Sequence, residues 1–156
     1  MTQLEHGFSA LSAADRQLIE DEHARLELFL QDLRDTCCEY ETTQSCQGCG
    51  KEKAACCQGR LTSFFYDFLD LIEQHFENEE NIMRRLTPAA EDGLYFIQHQ
   101  QAHAGLMLKV RAAMHEAGAL NKQGKTAEAI RLLYRQVPAM FGEHACRFDD
   151  AFLRAA

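Results

Sequence analysis

Four stretches of this chain repeat apolar side chains at three- and four-residue steps, and no stretch of any length alternates at the two-residue period of a strand. That pattern predicts amphipathic helices, each with a face that the others must cover. The first runs from a polar start at Ser12 to about Asp35, with Leu18, Ile19, Leu26, Phe29, Leu30 and Leu33 on one stripe and His23 among them. The second, about Leu61 to Leu86, carries Leu61, Phe64, Phe65, Phe68, Leu69, Ile72, Phe76, Ile82 and Met83, and includes His75 and Glu79. Thr87-Pro88 marks a stop or a new start, because proline fixes its own φ and biases the residue before it away from helix. A third helix, from Ala89 or Leu94 to about Ala117, turns Tyr95, Phe96, His99, His103, Leu106, Val110 and Met114 inward, and Gly118 to Gly124 reads as a turn. The last begins near Thr126 and continues through Ile130, Leu133, Val137, Phe141, His144, Phe148 and Phe152. Pro138 predicts a kink or a restart before His144, and Gly142 adds to the irregularity. Four such helices on mostly short connections favour an all-α, up-down-up-down four-helix bundle, with residues 1–156 forming a single domain.

The stretch from Cys37 to Gly59 breaks the pattern. It holds six cysteines, with glycines and several Thr, Ser and Gln residues, and almost no aliphatic side chains, so apolar burial cannot fold it. The composition of the whole chain, 46% hydrophobic and 26% charged, is that of an ordinary soluble globular protein. A net charge of −8 supplies no basic footprint, so neither nucleic acid nor an anionic membrane is expected as a partner. The opening MTQLEHGFSA lacks the basic stretch and apolar run of a signal peptide, and a cytoplasmic location is expected. Cysteines kept reduced there point to metal binding or redox sensing rather than to structural disulfides. Cys46-x-x-Cys49 with flanking thiols is a candidate tetrahedral zinc site, formed from Cys38, Cys46, Cys49 and Cys56 with Cys37 and Cys57 as alternates. The competing reading is a thiol switch, in which the same residues oxidise to disulfides. The insert is also where a protein partner or a second copy could dock. Cys146, two residues from His144, points away from the ligand face.

The polar residues on the helix stripes carry the chemistry. Residues four apart stand one above the other on a helix, so His75 with Glu79, and His99 with His103, can each present two side chains to one ion. His144 and Asp149 are five apart, and an ideal helix splays such a pair by about 140°. A π-type bulge would bring them together, although periodicity alone does not choose Asp149 over Asp150. Burying these imidazoles and carboxylates with no ion would leave polar groups costing about 1–3 kcal/mol each. Imidazole and carboxylate are the ligands that non-haem iron takes.

The run His75-Phe76-Glu77-Asn78-Glu79-Glu80-Asn81-Ile82-Met83, then His99-x-x-x-His103, then His144-x-x-x-x-Asp149, resembles hemerythrin, as does Ile19-Glu20-Asp21-Glu22-His23 before it. The resemblance spans all four predicted helices and implies a non-haem di-iron centre. By it, His99, His103 and His144 hold one iron, His23 and His75 the other, and Glu79 and Asp149 bridge the pair together with an oxo or hydroxo group. The two-histidine iron then keeps an open position, where dioxygen, or a related diatomic or peroxide, would bind. Phe76, Leu106, Phe141 and Phe148 are candidates for a dry lining around it. Beyond the ligands no dedicated acid or base is evident, which ranks reversible binding for sensing, storage or delivery ahead of turnover. The alternative is a di-iron oxidoreductase acting on nitric oxide or peroxide. His6 and His115 read as surface residues.

Overall fold

A computed structural model describes residues 11–37, 45–86 and 93–149. The described residues are helical almost throughout, with no strand among them. Helix α1 spans Ala13–Thr36, α2 Lys51–Leu86, α3 Gly93–Lys122 and α4 Thr126–His144; a short 3₁₀ turn, Cys46–Gly48, precedes α2, and a π-helical segment, Ala145–Asp149, continues α4. Helix α1 packs on α2 and α4, and α3 packs on the same two. Among the described residues no helix is long and apolar enough to cross a membrane.

Local chemistry accounts for the ends of these elements. Ser12 caps α1 by accepting from the Asp15 N–H at 3.0 Å. Asp15 in turn accepts from Arg85 in the last turn of α2 at 2.8 Å, which ties two helix ends together. The turn between α3 and α4 closes at Gly124, whose φ of +78° suits glycine. Phe68, Leu33, Leu61, Ile72, Ile130 and Leu133 are fully buried between the helices, and Phe68 stacks on Phe64 at 5.0 Å. Phe68→Ala is expected to cost about 3–5 kcal/mol by leaving a cavity there. Urea unfolding checks this: the midpoint falls while the slope stays that of the parent.

Several boundaries differ from the periodicity reading. Helix α2 starts at Lys51 rather than near Leu61, so Cys56 and Cys57 lie on a helix instead of in a loop. Its first turns, Lys51 to Arg60, are rich in Lys, Glu and Ala, good helix formers that give no apolar stripe. Helix α3 runs through Gly118 to Lys122, and the turn contracts to the residues around Gly124. Pro138 neither ends nor restarts α4; Leu133 and Val137, both buried, anchor the helix just before it. The irregularity falls after His144 instead. Leu18, expected on the buried stripe, is 41% exposed. Thr87-Pro88, Ala89, Asp150, Phe152, Cys38 and His6 lie outside the described residues.

Candidate metal centre

The π-helical turn decides how the C-terminal end of α4 meets the other helices. With hydrogen bonds spanning five residues, it brings Asp149 round to the face of His144, and the Asp149 Oδ1 lies 2.9 Å from His144 Nε2. Tyr95 of α3 donates to the Phe148 carbonyl at 3.0 Å, which gives the widened turn a partner outside its own helix.

Around that turn the Nε2 atoms of five histidines converge. Asp149 Oδ1 is also 3.2 Å from His99 Nε2, and its Oδ2 is 3.5 Å from His23 Nε2. Glu79 Oε2 lies 3.1 Å from His103 Nε2, 3.6 Å from His99 Nε2 and 3.8 Å from His75 Nε2. The ligand atoms form two groups, each within 4.8 Å: Glu79, His99, His103, His144 and Asp149 in one, His23, His75 and Asp149 in the other. Asp149 belongs to both. All of these residues are buried except His23, whose side chain is 33% exposed on the two-imidazole side.

Sequence reasoning named the inner residues and missed those that aim them. Glu22 is buried and accepts from His75 Nδ1 at 2.8 Å, and Asn78 donates to its other oxygen. Glu80 accepts from His103 Nδ1 at 2.8 Å. Each contact fixes the imidazole tautomer so that Nε2 carries the lone pair pointed inward, the arrangement typical of metal-binding histidines. Both glutamates sit one residue from a ligand and so fall off the ligand face of their helices. The only sequence signal is indirect: a ligating imidazole needs an acceptor for its second nitrogen.

Among the described residues, two atoms that face the interior of the cluster have no ordinary hydrogen-bond partner. Glu79 Oε1 is fully buried without a hydrogen bond, and His144 Nε2, close as it is to Asp149, meets it outside hydrogen-bond geometry. Buried polar atoms are rarely left so. A nitrogen and an oxygen this close without a hydrogen bond, among further ligand atoms within 4.8 Å, could hold a common ion.

The electrostatics follow from burial. Burial pushes the Glu79 carboxyl up to about 7, and the neighbouring Asp149 charge pushes the same way. Burial also takes the His103 imidazole down to about 4. For His23 burial works downward, but the Asp149 carboxylate beside it prevails and raises it. Asp149 is held below the ordinary carboxylate range: burial opposes this, and the close imidazoles of His144, His23 and His99 outweigh it.

The expected lining is partly in place. The Phe76 ring stacks on His103 at 3.9 Å, Phe148 lies 5.2 Å from His99, Phe141 packs on Phe76, and Leu106 is buried. A groove of about 520 Å³ between α3 and α4 reaches His144 and Phe148. His115 and Cys146 are exposed and outside the cluster.

Of the candidate cysteines, the two named as alternates, Cys37 and Cys57, share a cavity with the Cys-x-x-Cys pair. Cys46 and Cys49 line a small cavity together with Cys37 and Cys57, not with Cys56. Consecutive helix residues point about 100° apart, and it is Cys57 that faces the cavity while Cys56 is exposed. Burial pushes the Cys57 thiol above its ordinary value. Comparison with protein-family models, with curated proteins and with solved structures gives no match.

Proposed function

We propose that the chain is a hemerythrin-like, up-down-up-down four-helix bundle that holds two iron ions and binds dioxygen, or a related diatomic or peroxide, for sensing, storage or delivery. The observation that carries this reading is the convergence of five Nε2 atoms and two carboxylates from four helices into two groups sharing Asp149. The donor set suits iron: imidazole and carboxylate, with no thiolate. Charge agrees, since Glu79, Asp149, Glu22 and Glu80 together balance two divalent cations.

Iron bound there would supply the electrons that a dioxygen molecule takes up. The remaining work belongs to the chain. His99, His103 and His144 with both carboxylates would hold one ion, and His23 and His75 with the shared carboxylates the other, which has fewer protein ligands. Glu22 and Glu80 orient their imidazoles, and Phe76 and Phe148 keep water from the ring faces. The exposed edge of His23 offers a small molecule a way in on the side with fewer ligands.

Reversible binding is favoured over turnover of nitric oxide or peroxide by one feature. Cys57 precedes His75 on the same helix by 18 residues, roughly 27 Å at the helical rise, so the thiols that share its cavity lie too far from the centre to pass electrons to it directly. Anaerobic loading with ferrous iron followed by air tests the reading. Two irons per chain and new near-ultraviolet and visible absorption are expected, and a protein that stays colourless and metal-free would reject it. Sustained consumption of nitric oxide or peroxide with an added reductant would favour the alternative.

Metal uptake is also expected to depend on pH in a defined direction. The bound state needs Glu79 ionised and His23 neutral, so both lose protons on loading, whereas His103 and Asp149 already stand in their ligating forms at neutral pH. Affinity therefore rises with pH, by roughly a decade per pH unit for each group still protonated, and the Glu79 contribution to the rise is complete above about 7. Ferrous titrations from acid to mildly alkaline pH measure this slope. A flat profile would contradict the protonated Glu79.

A further inference from the structure

We propose that Cys37, Cys46, Cys49 and Cys57 hold a zinc ion at the end of the molecule away from the histidines, and that this ion fastens the connection between α1 and α2 to the start of α4. The four thiols come from three places in the fold. Cys37 is the C-cap of α1, Cys46 and Cys49 flank a 3₁₀ turn, and Cys57 lies in the second turn of α2. All four line one cavity of about 20 Å³, whose other walls include Lys53, Thr126 and Ala127. That is room for a single small atom.

Backbone contacts hold three of these cysteines in place. Cys46-Gln47-Gly48-Cys49 folds into a tight turn in which the Cys49 N–H donates to the Cys46 carbonyl at 3.1 Å, so both sulfurs start from one rigid loop. The Ala127 N–H, in the first turn of α4, donates to Cys46 Sγ at 3.4 Å. Cys57 Sγ donates to the Thr36 carbonyl at 3.5 Å, which holds it beside Cys37. On the far wall, Gln58 donates to the Asn121 carbonyl at 2.8 Å, Asn121 donates back to the Gln58 carbonyl at 3.1 Å, and Thr126 donates to Asn121 Oδ1 at 2.7 Å. This chain of bonds fixes the start of α2 against the start of α4, across the cavity.

No trio of these sulfurs lies within 4.8 Å of one another among the described residues, so uptake requires the cysteines to turn about χ1 and draw in. As the four sulfurs bind one Zn²⁺, the thiols release four protons to solvent, leaving a cluster of charge −2 with no change of oxidation state. Lys53 and the N-terminus of α4 stand ready to offset that charge. Zinc is the expected ion because tetrahedral all-thiolate sites select it.

The proposal is independent of the histidine cluster, which contains no sulfur, and the test uses that difference. Full-length reduced protein is titrated anaerobically with Co²⁺ as a probe for zinc, and thiolate-to-cobalt charge-transfer absorption in the near-ultraviolet is followed. One thiolate-bound cobalt per chain, displaced by zinc, is expected. Cys46→Ser, Cys49→Ser, Cys37→Ser and Cys57→Ser each lose most of the band, whereas Cys38→Ser and Cys56→Ser keep it. Circular dichroism identifies any variant that fails to fold, and the remaining three positions then give the same reading. Absence of the band from the reduced parent would overturn the proposal, as would a disulfide among these cysteines that persists in reductant. Loss of the band in Cys56→Ser with retention in Cys57→Ser would overturn the assignment.

Discussion

Glu79→Gln is expected to give a protein that is more stable than the parent without metal and gains almost nothing from metal. Glu79 is fully buried, one of its oxygens lacks a partner, and its carboxyl ionises near 7 rather than at its ordinary 4.5 because burial disfavours the charge. The unfolded chain ionises this group first as pH rises. Metal-free stability therefore falls between about pH 4.5 and 7 and stays reduced above. Glutamine does not titrate, so the advantage of the variant is absent at the acid end, grows through that window and is constant beyond it. With metal the order reverses. An ion at a thousand times its Kd stabilises the folded parent by about 4 kcal/mol, which in a chain of this size raises Tm by roughly 10 °C. Glutamine, neutral and with one oxygen, forfeits most of that rise. Thermal melts with and without ferrous iron at pH 5 and pH 8 make the comparison, and an equal metal-induced rise in both proteins would remove Glu79 from the ligand set.

The second large effect separates the two ions from each other. Glu22→Ala removes the acceptor of His75 Nδ1 and leaves that buried nitrogen and Asn78 without it, so the ion held with His23 and His75 is expected to bind 10–100-fold more weakly while the other is nearly unaffected. Glu80→Ala acts through His103 on the three-imidazole group and is expected to give the opposite pattern. A two-phase metal titration reads both. Glu77→Ala, at an exposed position of the same helix, serves as the control. Equal weakening of both phases by each variant would mean that the cluster behaves as one ion site rather than two.

How much of this was legible beforehand depended on whether the signal was carried within one helix. The pairs His75 with Glu79 and His99 with His103 are separated by one turn, so their common direction is a property of the α-helix and can be read without knowing any neighbour. The start of α2 was not legible, because its first ten residues face no core and the apolar period is silent where nothing is buried. That α4 runs on through Pro138 without a restart was not legible for the opposite reason. Packing of Leu133, Val137 and their neighbours overrides a local breaker whose effect is only a few kcal/mol.

By itself the sequence determined that the chain is all-helical, and it determined the ligand-bearing faces of α2 and α3, since both follow from short-range periodicity. Only the tertiary structure decided that a π turn carries Asp149 onto the face of His144, that Glu22 and Glu80 aim the imidazoles, and that Cys37 and Cys57 join Cys46 and Cys49. Those arrangements depend on contacts between residues distant in the chain, where a rotation of about 100° per residue separates a side chain that meets its partner from a neighbour that meets solvent.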